Sequence, residues 1–330
     1  MNPFSYTRAA DIASAVSEAS RNGGAKFIAG GTNLIDLMKE NVARPDRLID
    51  VTHLPLNRIE DTDDGGLRLG ALTTNADTAY NPQVEKRYPL LSRAILSGAS
   101  PQLRNMATNG GNLLQRTRCM YFYDTATQCN KRRRGTGCSA IEGFNRMHAV
   151  LGASDQCIAV HPSDMCIALI ALEAVVRVTG QNGDRSIAMA DFHRLPGDTP
   201  DIDTNLGGDE IILSIDLPPK GFADHHAYLK VRDRTSYAFA LVSVAAALEL
   251  SGDIIKEARV ALGGVAHKPW RNTEAEVLLN GKTATKENFQ ILAEAIMRDA
   301  KGFEYNSFKI ELSKRAIVRA LKHAAQMETS

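Results

Sequence analysis

The stretch Lys26-Phe27-Ile28-Ala29-Gly30-Gly31-Thr32-Asn33-Leu34-Ile35-Asp36-Leu37-Met38-Lys39, KFIAGGTNLIDLMK, decides how the chain is read. Lys26 to Ala29 has the short apolar character of a strand, Gly30-Gly31 turns the chain, and Thr32 to Lys39 reads as a helix. A strand running through glycines into a helix leaves backbone N–H groups and the positive end of the helix dipole open to a phosphate, with no Cβ to block it. No G-x-G-x-x-G or P-loop pattern is present, and a Gly-Gly pair more often simply turns the chain. About eighty residues on, Asn109-Gly110-Gly111-Asn112 offers a second glycine turn, flanked by Thr108. Two such turns could hold the two ends of one pyrophosphate.

Working outward, Asp11 to Arg21 predicts a helix with Ile12, Ala15, Val16 and Ala19 on one face and Asp11 as N-cap. Arg47 to Val51 and Leu67 to Leu72 read as strands, and Pro89 to Ala99 as a helix. From Pro101 to Pro162 the chain turns polar, glycine-bearing and basic, a span too long for an idle connection. Met165 to Glu173 resumes as an apolar helix. Ala174–Val178, Glu210–Leu217, His226–Val231, Leu241–Leu250 and Ile255–Gly263 read as strands, and Thr285–Asp299 and Ser307–Gln326 as helices. The breaker-rich Pro218-Pro219-Lys220-Gly221 predicts a boundary, with an α+β domain beyond it.

The 330 residues carry 39 Lys+Arg against 38 Asp+Glu, a formal charge of +1, and are 44% hydrophobic. That balance excludes a disordered tail and a generic nucleic-acid coat. The N-terminus lacks an apolar h-region and no stretch approaches the roughly 20 apolar residues of a membrane span. The expectation is a chain without its own export signal. All five cysteines, Cys119, Cys129, Cys138, Cys157 and Cys166, lie within 48 positions, an arrangement that random placement gives with a chance of about 0.002. None of the gaps is a C-x2-C knuckle, so zinc, an iron-sulfur cluster and unliganded thiols all remain open on spacing. Four thiolates on one metal centre would supply the folding energy that a weakly hydrophobic loop lacks. The basic run Lys131 to Arg134, with Arg116 and Arg118, would offset the negative charge of such a centre, or serve as a solvated loop or a patch for a negative partner.

The segments KFIAGGTNLIDLMK, ATNGGNLL (Ala107–Leu114), HPSDM (His161–Met165), YLKVRDRTSYAFALVSVA (Tyr228–Ala245) and ALGGVAHKPWR (Ala261–Arg271) together resemble the FAD-binding medium subunit of the molybdenum hydroxylases. This family includes xanthine dehydrogenases, carbon monoxide dehydrogenases and aldehyde oxidoreductases. The likeness spans nearly the whole chain and looks closest to the flavin subunits of bacterial, periplasmic-type aldehyde oxidoreductases. It implies an α+β architecture: a two-subdomain FAD-binding domain of the PCMH/VAO type over 1–221, divided at about 58, then a C-terminal domain over 222–330 of antiparallel sheet and helices. It also implies FAD contacts from Lys26, Phe27, Ile28, Ala29, Gly30, Gly31, Thr32, Asn33 and Leu34 on one side of the pyrophosphate. Thr108, Gly110, Gly111 and Asn112 would lie on the other. Ser163 and Asp164 would reach the ribityl and phosphate region, Ile211 or Leu213 would lie beside the isoalloxazine, and Lys230 near the ring.

Most such subunits pass from the second glycine turn to the Asp-bearing segment in about a dozen residues, whereas here Asn112 and Asp164 are 52 positions apart. The resemblance implies an insert at about 115–160 holding a 4Fe-4S cluster, with Cys119, Cys129, Cys138 and Cys157 as ligands. Cys166, in an apolar helix, is left out as a small core residue. The ordinary roles for the other residues are a helix cap for Asp164, a solvated face for Lys230, the core for Ile211 and Leu213, and a hydrogen-bonded loop for His161. The implied function is electron relay in a heterotrimer, with a molybdenum cofactor-binding large subunit and a 2Fe-2S small subunit, to an external acceptor. The substrate would be an aldehyde. The alternatives are a xanthine dehydrogenase or hydroxybenzoyl-CoA reductase flavin subunit, a free-standing flavoenzyme, or a zinc-stapled interaction module. No nucleic-acid role is expected. Location would be periplasmic by export on a partner's twin-arginine signal, otherwise cytoplasmic.

Overall fold

A computed structural model describes residues 1–327. Three sheets follow one another along the chain. The first is parallel, of β1 (Ser5–Arg8), β2 (Ala25–Ile28) and β3 (Arg47–Asp50), ordered β1-β3-β2. The helix Ile12–Arg21 covers it. Asp11 and Ser14 form a reciprocal cap at its start, and Ala15, Val16 and Ala19 are buried against Ile49 and Val51.

The second sheet is antiparallel, built from β4 (Ile59–Asp61), β5 (Leu67–Gly70), β6 (Val175–Gly180), β7 (Gly183–Ala188) and β8 (Ile211–Leu217) in the order β4-β5-β8-β6-β7. Everything between β5 and β6, including the cysteine-bearing segment, is one long excursion from this sheet. The third sheet comprises β9 (His226–Val231), β10 (Val242–Ser251), β11 (Ile254–Gly263) and β12 (Trp270–Arg271), all antiparallel.

The apolar run of β10 does not alternate with polar residues because the strand is buried on both faces. Val242, Val244, Ala246 and Leu248 share a core with Phe289, Leu292, Ile317 and Leu321 of the helices Lys286–Ile296 and Phe308–Ala324. Ala245 and Ala247 join the other core, with the helix Asp164–Ala171. Small residues on that face let the helix come close. A Cβ on Gly263 would lie 2.8 Å from Ile167. Every residue of Asp164–Ala171 is buried, so this helix is the hub between the second and third sheets.

The span 101–162 is not wholly irregular: short helices occur at Pro101–Arg104, Asn109–Leu113, Met120–Tyr123 and Ser139–Glu142. Among the described residues no helix is long and apolar enough to cross a membrane.

Candidate cofactor site

The two glycine segments meet. A Cβ on Gly30 would stand 2.7 Å from the carbonyl carbon of Met106 and closer still to its oxygen, so only glycine lets the first turn press against the residues entering Thr108–Asn112. Gly31 has φ +70°, the left-handed conformation that favours glycine. The backbone N–H of Arg116 donates to Asn33 Oδ1 at 2.9 Å, tying the first turn to the chain leaving the second.

At the first turn the amides are open. Among the described residues, the N–H groups of Gly30, Gly31, Thr32 and Asn33 donate to no acceptor in the chain, although all four residues are half-buried. Phe27 and Ala29 pack on the core beneath the helix Ile12–Arg21, Lys26 is exposed, and Leu34 begins the next helix. The strand's side chains thus fix the turn while its backbone faces outward with unpaired donors, the requirement for holding a phosphate.

The second segment differs from its reading as an open turn. Asn109–Leu113 is a helical turn capped by Thr108, whose Oγ1 accepts from Gly111 N at 3.3 Å. Gly110 N donates to Ala71 O at 2.8 Å. These amides are already spent on the fold, so the segment contributes shape and side chains rather than a second set of free donors. Its Asn112 is the junction: Oδ1 accepts from Ser163 Oγ at 2.6 Å and from Gln115 Nε2 at 2.7 Å, while Nδ2 donates to Asn75 Oδ1 at 2.6 Å.

Ser163, not Asp164, caps the buried helix, its Oγ accepting from Cys166 N at 3.1 Å. Asp164 is the helix's first residue, and its carboxylate accepts from Lys230 Nζ at 2.7 Å and Tyr228 OH at 2.7 Å. Lys230 also donates to Ser97 O at 3.1 Å, and its side chain is only 5% exposed. It is therefore no solvated face residue. It locks β9 to the Asp164 segment.

Ser163 and Asp164 line a cavity of about 220 Å³ together with Thr117, Arg118, Cys119, Met147, His148, His161, Phe239, Ser243 and Gly264. Ile211 is elsewhere, buried in the core under the helix Ile12–Arg21, and Leu213 lines a different cleft on the second sheet. Met147, His148 and Phe239 belong to this cavity without any sequence signal having marked them. Single residues of common type, far apart in the chain, leave no pattern.

Cys119, Cys129, Cys138 and Cys157 line one small cavity with about 10 Å³ of free room. Cys166 is not part of it. Cys129 and Cys138 face each other across an antiparallel bridge, and Cys119 and Cys138 precede the short helices Met120–Tyr123 and Ser139–Glu142. The backbone N–H of Ala159 donates to Cys157 Sγ at 3.4 Å, and backbone N–H groups near Cys119 and Cys138 favour their charged forms. Burial pushes the Cys119 thiol up to about 12, and the nearby Cys129 and Cys157 push the same way. Burial pushes Cys157 up to about 11 against the opposing charge of Lys131. Four desolvated sulfurs converging under backbone donors fit an iron-sulfur cluster, whose coordination would displace the protons and whose charge the N–H groups would stabilise.

Cys119 is common to the two cavities. His148, in the wall of the larger one, has Nε2 3.0 Å from Cys119 Sγ.

The basic run holds the insert in place rather than simply balancing a cluster. Lys131 is buried and pairs with Asp203, its Nζ also 2.8 Å from His267 Nε2. Arg132 donates to the carbonyls of Tyr121 and Phe122 at 2.8 and 2.9 Å, and Arg134 pairs with Asp201. Arg116 and Arg118 pair with Asp203 and Asp36, both at 2.7 Å.

The sequence matches two family profiles: the FAD binding domain in molybdopterin dehydrogenase over residues 2–220, and the CO dehydrogenase flavoprotein C-terminal domain over 226–323. It is 51% identical over 325 residues to the aldehyde oxidoreductase FAD-binding subunit PaoB of Escherichia coli strain K12, covering 98% of this chain and 99% of that one. It is 29% identical over 330 residues to the glyceraldehyde dehydrogenase medium chain of Sulfolobus acidocaldarius, covering 98% of each. Among solved structures, that of carbon monoxide dehydrogenase from Hydrogenophaga pseudoflava superimposes with a TM-score of 0.77 at 27% identity over 99% of both chains.

Proposed function

Because the chain belongs to the FAD-binding subunits of the molybdenum hydroxylases, we propose that it is the electron outlet of an aldehyde-oxidising complex and carries a 4Fe-4S cluster beside its FAD. The partners in this reading are a large subunit with the molybdenum cofactor and a small 2Fe-2S subunit, and the electrons leave to an external acceptor. The aldehyde rests on the half-identical aldehyde oxidoreductase subunit. The cluster rests on the cysteine cavity.

Bound FAD supplies an acceptor of one or two electrons, and an iron-sulfur centre supplies one-electron transfer. The chain's residues bind and orient. Gly30 to Asn33 would offer backbone donors to the pyrophosphate, and the Thr108–Asn112 segment would close the opposite wall. Ser163 and Asp164 are held by Asn112 and by Lys230 with Tyr228. Cys119, Cys129, Cys138 and Cys157 would hold the cluster. The observation carrying the reading is that Cys119 stands in the wall of both cavities, so a centre on the four thiols would lie against the flavin pocket.

The test is the purified complex. Its spectrum should show flavin bands and a shoulder near about 400 nm, with iron in excess of the small subunit's share by about four per FAD. Adding an aldehyde without an acceptor should bleach the flavin. A colourless chain containing zinc, or flavin without the extra iron, would reject the cluster; no bleaching by any aldehyde would reject the substrate class.

A further inference from the structure

Behind the flavin-binding segment a different set of donors converges. We propose that His161, Cys166 and His193 form a second metal site, which binds a single thiophilic d10 ion, most readily cuprous copper. One donor atom from each residue lies within 4.8 Å of the other two. All three are buried: His161 is 8% exposed, His193 3% and Cys166 not at all.

The hydrogen bonding points to a ligand. His193 Nε2 is 2.8 Å from the carbonyl oxygen of Leu113. A carbonyl only accepts, so Nε2 carries the proton and Nδ1 holds a free lone pair. Among the described residues that Nδ1 has no partner, and neither does His161 Nε2. Buried imidazole nitrogens are seldom left unpaired. A histidine that donates one ring nitrogen to a backbone carbonyl and keeps the other bare is arranged as metal-binding histidines are. The two rings are tilted rather than stacked, with centroids 4.2 Å apart and planes 52° apart.

Charge selects the ion. Asp164 and Asp203 both act on this group electrostatically, yet Asp164 is paired with Lys230, and Asp203 with Lys131 and Arg116. Among the described residues, the anion at this site not paired with a cation is the Cys166 thiolate, formed when the thiol proton leaves on binding. A monovalent ion then leaves the buried site without net charge, whereas zinc would leave one positive charge in it. Two imidazoles and a thiolate are soft enough to hold cuprous copper, which accepts three ligands. The site would join the second glycine segment, through Leu113 and His193, to the flavin-binding segment and the hub helix.

The experiment is elemental analysis of the purified complex, before and after anaerobic incubation with cuprous ion or zinc and removal of the excess. Wild type should hold about one equivalent of copper or zinc per chain beyond its iron. X-ray absorption at that metal's edge should show two nitrogens near about 2.0 Å and one sulfur near about 2.3 Å. Cys166→Ser and His193→Gln should each lose the extra metal by at least tenfold while keeping wild-type iron content and flavin absorbance. No extra metal in wild type after reconstitution would overturn the proposal, as would full retention in Cys166→Ser. Loss of iron with the copper would show that Cys166 serves the cluster, and would overturn the separate site. If Cys166→Ser does not fold, His193→Gln decides.

Discussion

Replacing Gly30 by alanine tests the convergence on which the flavin site depends. The added Cβ would lie 2.7 Å from the Met106 carbonyl carbon and 3.3 Å from Ala107 Cα. Non-bonded carbons settle at about 3.5–4.0 Å, so the two segments must part by about 1 Å. The obstacle is backbone, which no rotamer change relieves. Overpacking of this kind costs about 1–3 kcal/mol of stability. FAD should therefore bind more weakly than to the wild type. Two further glycines calibrate the result. Gly31→Ala meets the left-handed φ of +70° and should destabilise by about 1–2 kcal/mol. Gly23→Ala has nothing within 4 Å and should be neutral or slightly stabilising. The assays are FAD affinity, from the recovery of flavin fluorescence on dissociation, and the thermal midpoint of the flavin-loaded complex. If Gly30→Ala binds FAD as tightly as Gly23→Ala, the two segments do not form one site and the reasoning fails.

Four other outcomes are expected. Lys230→Met strips the partner from the buried Asp164 carboxylate and should cost about 3–5 kcal/mol in a denaturant titration, with Lys230→Met/Asp164→Leu recovering most of it. Cys129→Ser should abolish the extra iron while the flavin bands persist, as seen in the visible spectrum. His148→Phe removes a hydrogen-bonding partner of Cys119 Sγ and should lower the cluster's midpoint potential by roughly 20–60 mV in an EPR-monitored titration, one bond of about 0.5–1.5 kcal/mol on a one-electron couple. Burial, reinforced by Arg146, brings the Lys309 ammonium down to about 7. The unfolded chain therefore holds more protons between pH 7 and 10.5, so this residue's contribution is least favourable below pH 7 and improves as pH rises. Wild-type stability should gain up to about 5 kcal/mol over that window relative to Lys309→Met; parallel profiles for the two proteins would refute it.

The parts of the fold governed by local chemistry were legible. The Asp11 cap and the small apolar face of Ile12–Arg21 appear where the pattern puts them, and β8, β9 and β11 follow their apolar runs closely. β1 and β7 were not legible: SYTR and GDRSIA are mostly exposed and carry no apolar alternation. The Gly30 turn and the clustered cysteines stand out in the sequence, but their surroundings depend on chain path. Nothing in ATNGGNLL announces that its amides are consumed by Ala71 and Thr108. Nothing in KRRR distinguishes the buried Lys131 from the exposed Arg133 beside it. His148 and His193 acquire meaning only from what faces them.

The ion pairs that secure the cysteine segment reach carboxylates supplied by the surrounding scaffold: Asp36 before it, and Asp201 and Asp203 after it. The segment is thus moored from outside, like a graft that takes its order from the host. A shortened chain made by cutting it away would leave those three acids stripped of their cations, and a sound deletion would have to recast them as neutral residues in the same stroke.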